Sequence, residues 1–377
     1  MVEWALLTVI LALAVLASMV SIRLGVSVAI VEILVGIVAG NYLGVSSAGE
    51  TWLPFVAGIG SVVLTFLAGA EIDPVAMRTT WKASASIGLV SFLAPFLAAW
   101  GFTFVVLGWA WESSLLAGVA LSTTSVAVVY VVLIETGASR TPTGKLILSA
   151  CFITDLGTAL ALSLLFVRPN EYIFLLLAAV IASTLTLPRL FEWLFARLQG
   201  RAGEPEVKVL FFAVVLLGAT AQLAGTQAVL PAYILGLALA SVLDRNPVVL
   251  LKLRTLTLAF LTPFFFINAG LNISVAALVA GLGLIVVLFG VKVGAKLLGV
   301  LPTVRKFVGH DATYIALLMS TGLTFGTISA LYGLDTGIID RFQFSVLLSV
   351  VIASAIIPTV VAQTWFRPKP EATPIAA

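Results

Sequence analysis

A chain of 377 residues with 61% apolar and only 10% charged side chains cannot be two or three soluble domains, which carry about 25% charged residues. Its mean hydropathy of +1.19 and its end-to-end apolar stretches of about 20 residues describe a polytopic helical membrane protein with almost nothing outside the bilayer. The net charge of +3 does not signal nucleic acid, because the basic residues fall in short loops.

A single cysteine, Cys151, excludes an internal disulfide, a thiolate metal cluster and a CxxC redox pair. One histidine, His310, cannot build a catalytic or metal cluster. No Walker A run and no GxGxxG opening a βαβ unit occur, so neither nucleotide-driven work nor enzyme chemistry is indicated. Residues 1–23 lack a basic n-region, Glu3 being the first charge, and read as a retained first span rather than a cleaved signal peptide.

Spans are predicted at 4–22, 26–46, 53–71, 82–109, 113–132, 143–166 and 171–195, then at 207–225, 229–243, 254–270, 275–299, 311–332 and 342–364. The fourth and eleventh are long enough to tilt or bend. A tight break from Gly225 to Pro231 separates the eighth from the ninth. With the N-terminus outside, the inner loops and the tail hold Arg23, Arg78, Lys82, Arg140, Lys145, Arg189, Arg197, Arg201, Lys208, Arg245, Lys252, Arg254, Arg305, Lys306, Arg367 and Lys369. The outer loops hold only Arg168 and Arg341. That bias predicts thirteen spans and a cytoplasmic C-terminus in a prokaryotic-type plasma membrane. With only about thirteen residues after the last span, no regulatory domain is expected there.

Asp155 stands in Cys151-Phe152-Ile153-Thr154-Asp155-Leu156-Gly157-Thr158, at the centre of the sixth span. A charge at that depth costs about 2.5–3.5 kcal/mol on insertion scales and normally faces a cavity, a partner or an ion path. A structural hydrogen-bond acceptor is one reading. The other is a carboxylate that binds a proton or a cation but not both, the simplest chemistry of exchange. Lys292 lies about six residues, or 9 Å, from the centre of the eleventh span and is expected to face a polar cavity or to pair with Asp155. Lys296, a turn nearer the cytoplasmic end, is expected to snorkel. Glu32, Glu71 and Asp73 read as wall or funnel residues near the interface, with Glu71 the best accessory site among them.

The fifth span carries Ser122-Thr123-Thr124-Ser125 at mid-membrane, and the twelfth carries Ser320-Thr321-Gly322-Leu323-Thr324. Hydroxyls and carbonyls freed by local unwinding can ligate a dehydrated monovalent cation beside Asp155, although Ser and Thr also serve as glue between helices. The two spans run in opposite directions, each in the middle of a triplet. Matching breaks in inverted halves point to a midplane site in a secondary transporter.

At this point the chain resembles the monovalent cation:proton antiporter family, nearest its Kef-type and prokaryotic sodium/proton exchanger branch. The likeness is carried by Phe66-Leu67-Ala68-Gly69-Ala70-Glu71-Ile72-Asp73, Ala120 through Val126, Thr154-Asp155, the lysine-bearing eleventh span and the second broken helix, and it covers about residues 5–366. The resemblance implies an all-α fold of about 13 transmembrane helices with inverted repeats and two crossed, partly unwound helices. It implies a six-helix core, 82–166 and 311–364 with 275–299, moving against a scaffold of 4–71 and 171–270 that also forms a homodimer. Asp155 would be the shared site for cation and proton, with Thr154, Thr123, Thr124 and Ser125 beside it. Asp155 and Thr124 would hold the monovalent cation transiently. Lys292, Glu71, Thr321 and Thr324 would be accessory. The expected function is electroneutral exchange of Na⁺ for H⁺ without a cofactor, in a lipid bilayer and with no nucleic-acid or soluble partner. Electroneutrality is implied by Thr154, which stands where charge-moving members have aspartate. K⁺/H⁺ exchange is the nearest alternative, and a sodium-coupled organic-anion transporter or a channel the more distant ones. The nucleotide-binding domain of full Kef systems is not present in this sequence.

Overall fold

The computed structural model describes residues 2–366 apart from 25–26, 46–50, 74–76, 78, 137, 139–140, 167–169, 199–202 and 310. Of the residues singled out above, Arg78, Arg140, Arg168, Arg201, His310, Arg367 and Lys369 lie outside the described residues. The first seven helices are α1 Val2–Leu24, α2 Val28–Tyr42, α3 Trp52–Ala70, α4 Trp81–Gly101, α5 Trp111–Ser122, α6 Val126–Glu135 and α7 Pro142–Leu165. They are followed by α8 Ile173–Leu198, α9 Pro205–Leu223, α10 Val229–Asp244, α11 Pro247–Leu256, α12 Thr262–Leu271 and α13 Val275–Ala280. The last four are α14 Leu282–Phe307, α15 Ala312–Met319, α16 Thr324–Asp335 and α17 Arg341–Trp365.

Among the described residues, 11 helical segments are long and apolar enough to cross a membrane, and α2 and α10 are shorter apolar helices. Three predicted spans differ in outline. The fourth ends in a widened π turn, Phe102–Val106, rather than running to 109. The tenth begins at Pro247 rather than 254 and contains a second π turn, Thr257–Leu261, just before Pro263, which has no N–H to return to the helical ladder. The eleventh is jointed at Gly281 and runs on through Pro302 to Phe307 instead of stopping at 299. That extension moves Lys292 and Lys296 towards the middle of the span.

An internal repeat is visible in matched features about 200 residues apart. The two short helices, α2 and α10, are one such pair, and the breaks after Ser122 and Met319 are another. A third lies in the packing. Gly36 of α2 meets Gly270 of α12 so closely that a Cβ on Gly36 would fall 2.5 Å from the Ile267 carbonyl oxygen and 3.0 Å from the Gly270 Cα. Gly236 of α10 and Gly69 of α3 repeat the arrangement, with Cβ positions occupied by the Phe66 and Tyr233 carbonyls. A unit displaced by seven spans must run the opposite way, which makes the halves inverted.

Elsewhere α14 packs on α4, α15 and α17, α4 packs on α5 and α7, and α5 lies against α16. Gly88 lets α4 approach α7 where the Ala150 carbonyl and Ile153 would meet a side chain.

Candidate functional site

The two interrupted helices part at their hydroxyl-rich middles. α5 ends at Ser122, Thr123 is extended (φ −65°, ψ 152°), and α6 restarts at Val126. α15 ends at Met319 and α16 restarts at Thr324. Each break frees carbonyls at one helix end and N–H groups at the next. The segments satisfy one another where they cross: Ser125 N–H donates to the Thr321 carbonyl at 3.2 Å, and Thr124 Oγ1 donates to the Met319 carbonyl at 2.9 Å. Gly322 permits the approach, since a Cβ there would lie 2.7 Å from Thr123 Oγ1.

Lys296 closes the crossing from α14. Completely buried, it donates from Nζ to Thr124 Oγ1 at 2.7 Å and to Ser91 Oγ of α4 at 2.8 Å. It therefore does not snorkel, because the longer α14 holds it at depth and the crossing supplies its acceptors. Lys292, one turn away, is also completely buried, with Nζ against Gly322 and no hydrogen-bond partner. The expected Lys292–Asp155 salt bridge does not form; ion pairs among the described residues join Lys145 to Asp73, Arg245 to Glu192, Lys252 to Glu204 and Arg254 to Glu71.

Asp155 is 2% exposed, and its Oδ1 has no hydrogen-bond partner. It lines a cavity of about 660 Å³ together with Phe152, Val126, Leu323 and Thr324. The remaining predicted ligands are not on that wall, and their hydroxyls are engaged elsewhere. Thr154 Oγ1 donates to the carbonyls of Ala150 at 3.1 Å and Gly88 at 3.2 Å. Thr123 Oγ1 donates to Ala120, Thr321 Oγ1 donates to Leu318, and Ser125 Oγ accepts from the Val128 N–H. The structure thus brings Asp155 and Thr324 together on the cavity and assigns Thr124 to Lys296. Chemically the cavity offers carboxylates and neutral oxygens, ligands suited to a monovalent cation or a proton.

The cavity reaches the face where α1 and α3 end and α7 begins. Its mouth is framed by two ion pairs, Arg254–Glu71 at 3.6 Å and Lys145–Asp73 at 3.4 Å, and Arg254 lies over the Tyr130 ring at 5.8 Å. Glu71 follows the end of α3, where burial holds its carboxyl above the usual carboxylate range and the Arg254 guanidinium pulls it partway back. Towards the other face Leu116, Leu162, Leu331 and Ile339 are packed shut, and Ser113 Oγ donates to the Ile338 carbonyl at 2.7 Å.

Sequence reasoning missed Ser91 and Tyr233. Ser91 shares its span with Ser84 and Ser86, and nothing in the sequence sets it apart from them. Tyr233 lies in the short helix α10, and its hydroxyl donates to the Phe152 carbonyl, one turn from Asp155, at 2.8 Å.

A family profile described as "Sodium/hydrogen exchanger, transmembrane" matches residues 9–367. The chain is 27% identical over 364 residues to "Probable Na(+)/H(+) antiporter 3" of Methanocaldococcus jannaschii, covering 90% of this chain and 91% of that protein. It is 23% identical over 371 residues to "Na(+)/H(+)-K(+) antiporter GerN" of Bacillus cereus, covering 95% and 94%. It spans about half the length of the Arabidopsis thaliana cation/H(+) antiporters that it matches. The fold is similar to that of the sodium proton antiporter MjNhaP1 from Methanocaldococcus jannaschii, with a TM-score of 0.72 at 15% identity over 95% of this chain and 94% of that one. With the inverted halves, the crossed breaks and the single-sided cavity, the profile match shows that the chain belongs to the sodium/hydrogen exchanger family, secondary active antiporters within the monovalent cation/proton antiporter superfamily.

Proposed function

We propose that Asp155 is the one carboxylate that carries Na⁺ and H⁺ in turn, and that exchange is electroneutral and one-for-one. The observation that supports this most is an enclosed carboxylate oxygen without a partner, on the wall of a cavity open to one face and beside the crossing. An ionised carboxylate at that depth needs a counter-charge. A proton or a monovalent cation from the cavity supplies it, and the two exclude one another.

In this reading the helices of 82–166, 275–299 and 311–364 form a core that moves against the scaffold of 4–71 and 171–270, through which the protein dimerises. The basic loops set the N-terminus outside and the C-terminus in the cytoplasm, so the cavity faces the cytoplasm and the structure is inward-open. The branch nearest this chain is the Kef-type and prokaryotic exchanger one, by the motif order around Thr154-Asp155.

The test is exchange in proteoliposomes carrying an internal pH dye. Asp155→Asn and Asp155→Ala should insert and fold, yet abolish cation-dependent proton movement. Near-normal exchange in either variant would overturn the assignment. Repeating the assay with Li⁺, K⁺ and Rb⁺ ranks the cations and separates Na⁺/H⁺ from K⁺/H⁺ exchange.

A further inference from the structure

A second carboxylate in the cavity is not used by that reading. Glu32 of α2 is 1% exposed, and its Oε2 has no hydrogen-bond partner, yet the side chain lines the same cavity as Asp155. It stands one turn before Gly36, whose backbone contact with α12 fixes the position of α2. The groups that α12 offers the cavity leave it unsatisfied. Phe266 is apolar, and the Thr262 hydroxyl donates to the Leu258 carbonyl at 3.0 Å. The charges at the mouth are already paired, Arg254 with Glu71 and Lys145 with Asp73.

A carboxylate so enclosed stays ionised only with a counter-ion, and among the described residues no ion pair supplies one. Its open direction is the cavity itself. We infer that Glu32 forms a second monovalent-cation site, a waiting position on the wall opposite the core, from which a cation passes to Asp155. This inference rests on the reading of Asp155 as the transport site. Because Glu32 belongs to the scaffold segment 4–71, its ligand does not cross with the core. It adds nothing to the stoichiometry and acts only on cations that arrive from the cavity face.

The experiment is Na⁺-dependent exchange of the full chain in everted and in right-side-out membrane vesicles, so that Na⁺ is offered to one face at a time. Glu32→Gln should raise the half-saturating Na⁺ about three- to tenfold on the cavity face, leaving the opposite face and the maximal rate unchanged. An unchanged Na⁺ dependence on both faces would overturn the inference. So would equal changes on both faces with a lower maximal rate, the mark of a structural role. Should Glu32→Gln fail to fold, Glu32→Asp carries the test: a one-sided rise is expected, and its absence sinks the site. Asp155→Asn run in parallel keeps the two readings apart, since exchange surviving that change refutes the Asp155 assignment whatever Glu32 does.

Discussion

Thr124 accepts the Lys296 ammonium at 2.7 Å while giving its own proton to the Met319 carbonyl at 2.9 Å. One hydroxyl therefore ties α14 to both broken helices. The carbonyl ends of α5 and α15 meet at this crossing, and each carries the negative end of a helix dipole. A buried ammonium there is held by neutral acceptors and by those dipoles rather than by a carboxylate.

The first prediction separates the two partners. Lys296→Met removes a charge and leaves two hydroxyls short of a donor, at a cost of about 1–3 kcal/mol. Thr124→Ala instead leaves a charge buried with one acceptor fewer, and the penalty for an under-paired ion is larger. Thermal unfolding in detergent should therefore rank Thr124→Ala as the less stable variant. The reverse order would show that the ammonium is not anchored as described.

The proposed one-for-one stoichiometry rests on the charges at the crossing. If only Asp155 changes its load, the site has the same net charge on both legs of the cycle, whatever charge Lys292 carries. Solid-supported-membrane recordings should show no Na⁺-dependent net current, and proton flux should be indifferent to a valinomycin-clamped potential. A current that vanishes in Lys292→Gln would assign a second proton to that lysine.

Two glycines make a matched pair of tests for the packing. Gly236→Ala places a methyl group on the Phe66 carbonyl, backbone that cannot rotate away, and should abolish monodisperse protein or lower the melting temperature sharply. Gly218→Ala on α9 meets nothing within 4 Å and should be neutral or stabilising by up to about 1 kcal/mol.

The mouth should impose an acid limb on transport. Burial raises the Glu71 carboxyl, so it takes up its proton at a higher pH than an ordinary glutamate as the medium acidifies. Below that point Arg254 loses its partner and the mouth loses negative charge, so the half-saturating Na⁺ on the cavity face should rise. Glu71→Gln should show the raised value already at neutral pH, about two- to fivefold, and a flatter dependence below it. A pH profile indistinguishable from that of the unaltered protein would remove Glu71 from the entrance.

Much of this architecture was legible in the sequence because membrane depth and hydroxyl clusters are local signals. Asp155 at the centre of an apolar span and the Ser122–Ser125 run needed no tertiary information to stand out. The direction of each hydroxyl was not legible, since Thr124 and Thr324 look alike in sequence and only the crossing sends one to Lys296 and the other to the cavity. Lys296 was misjudged for a definite reason. Ending the eleventh span at 299 placed Lys296 near the interface, whereas the helix continues through Pro302 to Phe307. Glu32 was read as an interfacial wall residue because it lies near the start of a span, but α2 is short and sunk among its neighbours.

The paired glycines of α2, α3, α10 and α12 have a mechanical consequence. Where backbone rests on backbone there are no side-chain torsions to relax, so such a joint resists sliding and rotation alike. The four helices joined in this way form a rigid chassis. Compliance is then left to the seam beside the cavity, where the mouth's ion pairs and Tyr130 can exchange partners at little cost. In the proposed movement of core against scaffold, the stroke would fall on that seam rather than within the glycine-joined helices.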